Sequence, residues 1–302
     1  MDNKSPEALA ERTTGSSAPT GVAWWQAGFL LAIVGFLYYP VLARLAWDWW
    51  NDPEASHGIL VPLFSLYVLW HTRQQWAGLA SRPSGWGLIP ILGALAALIT
   101  GVLATEFFLS RSSFVFLLAG LAIYFLGWAH FRAFLFPWAF LFLMIPIPAL
   151  IFNHIAFPLQ LLASRLASSA LELIGVPVLR EGNVMQLANT TLEVAEACSG
   201  IRSLLSLVTL AVIYGYFLEK QMYRRVIFAV AAVPIAVVAN ALRVVGTGAL
   251  AHFWDPQKAE GFFHTFSGWV IFVIAMLMLF SVDNFLRFID RWRERARTEP
   301  AA

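Results

Sequence analysis

The sequence predicts an all-α protein that crosses a membrane about eight times, with a small interfacial helix and a β-hairpin on its outer side. Three observations predict it. Of 302 residues, 59% are hydrophobic and only 13% charged, with 25 Phe and 13 Trp. Charged residues make up about a quarter of a soluble domain, and a water-soluble fold could not cover so apolar a surface. Apolar runs also recur at the length that crosses a bilayer, about 20 residues. Finally, the cations between those runs alternate in density.

In chain order, residues 1–22 are polar, small and proline-containing, and read as a disordered cytoplasmic arm. They lack the basic-then-apolar pattern of a cleavable signal peptide, so the first span is expected to stay as an anchor. A single transmembrane domain, 23–287, follows, with spans expected at 23–46, 57–72, 86–105, 112–129, 131–153, 200–218, 225–250 and 266–287. The second is short, and the fourth and fifth are separated only by WAHFR, which demands a tight turn. Residues 155–175 place apolar side chains at helical spacing with Arg165 and Glu172 among them, which suits a helix lying at the interface. After it, VPVLREGNVMQL and TLEV have β-like patterning around Glu181-Gly182-Asn183, a hairpin turn. Residues 288–302 form a basic cytoplasmic tail.

Charge orients these spans. With the N-terminus cytoplasmic, the inner segments hold Lys4, Arg12, Arg73, Arg82, Arg132, Lys220, Arg224, Arg225, Arg287, Arg291, Arg293, Arg295 and Arg297. The outer ones hold Arg44, Arg111, Arg165, Arg180 and Lys258. An even number of spans returns the C-terminus to the cytoplasm.

This orientation places three reactive residues at one level. Cys198, the chain's only cysteine, starts the sixth span at its outer end, which excludes an internal disulfide and a cysteine-rich metal site. Arg243 lies about 18 residues from the inner start of the seventh span, roughly 27 Å across a core of about 30 Å. His264 opens the eighth span from the outer side. Ser199, Arg202, Ser203 and Ser206 form a polar stripe at helical spacing, and Asn240, Arg243 and Thr247 form another. Such stripes face a bundle interior or a wet cavity, here one between spans six, seven and eight.

A thiol attacks as its thiolate, which nearby cations and a helix N-terminus favour. A histidine can pair with that thiolate and then protonate a leaving amine. An arginine can stabilise the oxyanion formed on a carbonyl. Cys198, His264 and Arg243 together suffice for acyl transfer through a thioester. Each also has a plainer reading: a buried small hydrophobe, an interfacial polar group, and a cation snorkelling to the surface. Arg202 can equally pair with Glu193 or Glu196. A transporter or flippase for a lipid-linked glycan, with Arg202 and Arg243 binding phosphate, therefore stays open, as does a structural subunit of an export complex.

ACSGIRSL at 197–204, NALRV at 240–244 and HTFSGW at 264–269 resemble, in that order, the signatures of the exosortase family. SHGILVPLFSLYVLW at 56–70 and FPWAFLFLMIPIP at 136–148 resemble its early segments, so the likeness spans most of 40–285. The resemblance implies a membrane-embedded cysteine transpeptidase of Gram-negative bacteria. Its expected substrates are PEP-CTERM proteins, cut near a Pro-Glu-Pro motif at the outer face of the inner membrane, in strains that make exopolysaccharide. The product would pass to an acceptor that the resemblance does not identify, of lipid or polysaccharide class. The family roles fall on Cys198 as nucleophile, His264 as acid/base and Arg243 as transition-state stabiliser. Arg202, Asn240, Ser199 and Arg180 are expected to support the site or bind substrate. Membrane lipid is the surrounding partner, and no cofactor, metal or nucleic acid is called for.

Overall fold

The computed structural model describes residues 24–52, 55–188, 191–193, 200–253 and 262–298. The N-terminal arm, Cys198, Ser199 and the chain's last four residues lie outside them. Packing divides the chain after Arg44. The first unit is described as the leading part of helix α1 (Trp24–Asn51), and the second, from Leu45 on, holds all that follows.

A 3-10 turn, Ser56–Ile59, leads into α2 (Leu60–His71) and the short α3 (Arg73–Ala77). Helices α4 (Leu88–Leu103) and α5 (Phe107–Phe125) form a close pair, and α6 (Trp128–Phe140) runs on as a 3-10 turn to Met144. Then come α7 (Ala149–Leu173), strands β1 (Val178–Glu181), β2 (Val184–Leu187) and β3 (Thr191–Glu193), and helices α8 (Gly200–Leu218), α9 (Met222–Phe253) and α10 (Phe262–Thr298). Among the described residues, six helices are long and apolar enough to cross a membrane: Gly28–Asn51, Gly85–Leu103, Phe107–Phe125, Ala149–Leu173, Met222–Phe253 and Trp269–Trp292. Two shorter apolar helices, Trp128–Met144 and Leu204–Leu218, accompany them.

The structure redraws the middle of the expected map. The span expected at 131–153 stops at Met144, because Pro146 and Pro148 lack the N–H groups that would continue it. Pro148 instead stands in extended backbone before α7, where a missing N–H costs nothing. The interfacial helix expected at 155–175 therefore begins earlier, as a 25-residue helix long enough to span. The segment expected at 57–72 contains only a 12-residue α-helix after its 3-10 turn. α10 also runs without a break through the start of the basic tail.

Close approaches explain several glycines. α4 and α5 meet at Gly87 and Gly120, where an added Cβ on Gly120 would lie 2.8 Å from the Ile91 backbone nitrogen. Small residues at such crossings let membrane helices pack by dispersion contacts. Gly127 makes the tight turn between α5 and α6 at φ +90°, and a Cβ there would strike the Arg82 carbonyl.

Polar groups at the helix ends meet at two levels. At one level, Arg111 of α5 pairs with Asp48 of α1, and the Trp49 indole donates to the Met144 carbonyl at 2.9 Å. At the opposite ends, Ser84 and Arg82 donate backbone N–H groups to Tyr124 and Leu126. The α8–α9 turn is knit there too: Arg225 Nε donates to the Glu219 carbonyl at 2.7 Å, and Arg224 pairs with Glu219 and with Asp290 of α10.

The expected hairpin is a three-stranded antiparallel sheet in the order β1-β2-β3, with TLE as its third strand. Gly182, at φ +67°, makes the first turn, as the Glu-Gly-Asn sequence predicts. Met185 is fully buried against Ala163 and Ala167 of α7 and Val237, Ala241 and Val244 of α9. Ser164 of α7 donates to the Gly182 carbonyl at 2.9 Å and pins the turn.

Candidate functional site

α8 and α9 form an antiparallel helical hairpin whose register follows from two contacts. Near its turn, Gly215 faces Arg225 and Phe228, with 3.4–3.5 Å of clearance for a Cβ. Toward its open end, Leu204 and Asn240 line one small void. Arg243, one turn further along α9, therefore stands level with the first turn of α8. Cys198 precedes that turn by two residues and lies, with Ser199, outside the described residues. Arg202 is in the first turn of α8 and is described by its backbone alone, as is His264.

α10 completes the group. Its Ala275 and Leu279 are buried against Leu207 and Ala211 of α8 and Phe228, Ala232 and Ile235 of α9, with Ile271 packed at the edge. His264 lies two helical turns before Ile271, in the first turn of α10, toward the same end as Arg243. The three helices expected to carry the site are thus packed on one another.

Arg243 is only 6% exposed, and Asn240 equally so. Both occupy the α9 face that also buries Ala239, Ala241 and Val244. A guanidinium among such neighbours is costly unless paired or hydrated. The Arg243 backbone carbonyl accepts the Thr247 hydroxyl at 3.0 Å, which ties the next turn of the polar stripe to it.

Asn240 Oδ1 is buried with no hydrogen-bond partner among the described residues. It borders a void of about 10 Å³ shared with Gln160 of α7 and Leu204 of α8, close to the space one water needs.

Arg180 is half-buried on β1, on the same strand face as Val178, which packs against the α7–α9 core. Its Nη1 donates to the Gly182 carbonyl at 2.9 Å, so part of the guanidinium serves its own turn. Among the described residues, no group of three or more His, Cys, Asp or Glu side chains gathers to hold a metal ion.

The sequence reading missed the part played by α7. Treating 155–175 as an interfacial helix left Gln160 out of the site, although the structure sets it beside Asn240. The available signal was a single amide in the apolar stretch FPLQLL.

A family model described as transmembrane exosortase matches residues 49–281. The chain belongs to the transmembrane exosortase family. The match takes in the cysteine, arginine and histidine motifs of this family member, together with α2 through most of α10. No curated protein and no solved structure matches the chain.

Proposed function

We propose that this exosortase-family chain is a cysteine-dependent transpeptidase or protease acting on the C-terminal PEP-CTERM sorting signal of exported proteins. The observation that carries the reading is the register of α8 against α9, which sets the buried Arg243 level with the helix start that Cys198 precedes. The proposed site opens on the periplasmic side of the inner membrane, with both termini cytoplasmic. The charge bias between the two sets of loops supports that orientation.

In this reading the Cys198 thiolate attacks the scissile carbonyl carbon, and Arg243 stabilises the oxyanion. The C–N bond breaks, His264 gives its proton to the departing amine, and a thioester remains on Cys198. An acceptor nucleophile, or water, then attacks the thioester and passes a proton to His264, which regenerates the thiolate. A substrate helix in the bilayer would present its outer flank at a fixed depth, so membrane insertion supplies orientation. Arg202, Asn240, Ser199 and Arg180 support the site or contact the peptide.

The test is co-expression with a tagged PEP-CTERM protein from the same genome, followed by its size on a gel. Wild type should cleave it, and Cys198→Ala at equal abundance should not. Mass spectrometry of the new C-terminus then separates hydrolysis from transfer. Equal cleavage by both proteins would remove Cys198 as the nucleophile.

A further inference from the structure

Away from the α8–α10 site, α2, α5 and α6 enclose a groove of about 370 Å³. It runs from Pro62 and Met144 at one end to Leu69 and Phe131 at the other. From Phe131 to Met144 is roughly 20 Å at helical rise, about two thirds of the hydrocarbon core. Its walls are apolar, and the Ser65 hydroxyl among them is satisfied by the Pro137 carbonyl at 3.1 Å.

The end near Leu69 and Phe131 is closed by α3. The Trp76 indole donates to the Leu69 carbonyl at 2.9 Å and meets the Phe134 ring edge-on at 5.5 Å. Three exposed arginines flank this end within about a helical turn of groove residues: Arg73 after Leu69, Arg132 beside Phe131, and Arg82, whose N–H bonds to Leu126 one turn beyond Ala122. Arg73 is held in place over the Trp70 ring at 4.6 Å. Glu106 is the only acid between residues 55 and 171. It lies at the far end of α5, where its carboxylate caps the helix by accepting from Leu109 N–H. The cationic end of the groove thus has no carboxylate to balance it from the helices that form it.

We propose that this groove is a binding site for one anionic phospholipid of the cytoplasmic leaflet. An acyl chain lies between α2, α5 and α6, and Arg73, Arg82 and Arg132 hold the headgroup phosphate. The apolar groove and the cationic charge at one interface, which no carboxylate of these helices balances, together select an anionic over a neutral lipid.

The experiment titrates phosphatidylglycerol and phosphatidylcholine onto the delipidated full-length protein in mild detergent, read by native mass spectrometry. One phosphatidylglycerol should be retained per chain in preference to phosphatidylcholine. Arg73→Gln with Arg132→Gln should weaken phosphatidylglycerol roughly 20-fold, toward the neutral lipid. Ala122→Phe should expel the lipid with every arginine intact. Equal binding of the two lipids by wild type, or wild-type retention of phosphatidylglycerol by Ala122→Phe, would overturn the proposal. If Ala122→Phe fails to fold, the exposed arginine pair decides alone: unchanged lipid preference in that variant overturns the site.

Discussion

Arg111 of α5 and Asp48 of α1 form an ion pair within the helix bundle, with the Arg111 side chain only 5% exposed. The guanidinium also lies 5.6 Å from the Phe107 ring centre. Losing one partner of a buried pair costs about 3–5 kcal/mol, and the Asp48 carboxylate left behind, 20% exposed, puts the cost toward the lower end of that range. Arg111→Met should therefore melt well below wild type in detergent. Adding Asp48→Leu should recover most of the loss. A wild-type melting curve for Arg111→Met would show that the pair contributes little.

The α4–α5 contact gives a sharper packing test. A side chain on Gly120 must displace the backbone at Ile91, whereas Gly93 of the same hairpin has open space around it. Gly120→Val should sharply reduce the yield of monodisperse protein. Gly93→Val should leave it near wild type. Equal yields, measured by fluorescence-detected size exclusion, would count against tight packing at this crossing.

The sequence made the membrane class, most helices and the β-turn legible, because each rests on local signals: apolar length, cation bias and Glu-Gly-Asn. It misplaced the boundary between α6 and α7. The IPIP stretch is apolar enough to extend a span by hydropathy, yet its prolines end the helix. The candidate site is read from the sequence as three motifs, but the register of the helices that carry them is not. That depends on Gly215 against Phe228 and Leu204 beside Asn240, contacts that no local pattern encodes. Gln160 was hidden for the same reason, since its helix reads as interfacial until α9 is packed against it.

Among the described residues, the side-chain bond from Ser164 to the Gly182 carbonyl ties the sheet to α7. Ser164→Ala removes it at a cost of about 1 kcal/mol. Backbone amides of residues 180–187 should exchange hydrogen several-fold faster, while those of α9 stay protected. Unchanged exchange in the sheet would mean that Met185 packing alone holds it.

Asn240 separates stability from activity. Its Oδ1 has no partner among the described residues, so Asn240→Leu removes a buried polar group that they leave unsatisfied, worth about 1–3 kcal/mol. The variant should be as abundant as wild type and melt at the same or a higher temperature. If the Asn240–Arg243 stripe serves catalysis, processing of a PEP-CTERM substrate should nevertheless fall about tenfold or more. Gln160→Leu, across the same void, should shift processing in the same direction. A drop in processing that only tracks abundance would make Asn240 a packing residue and confine the site to Cys198, Arg243 and His264.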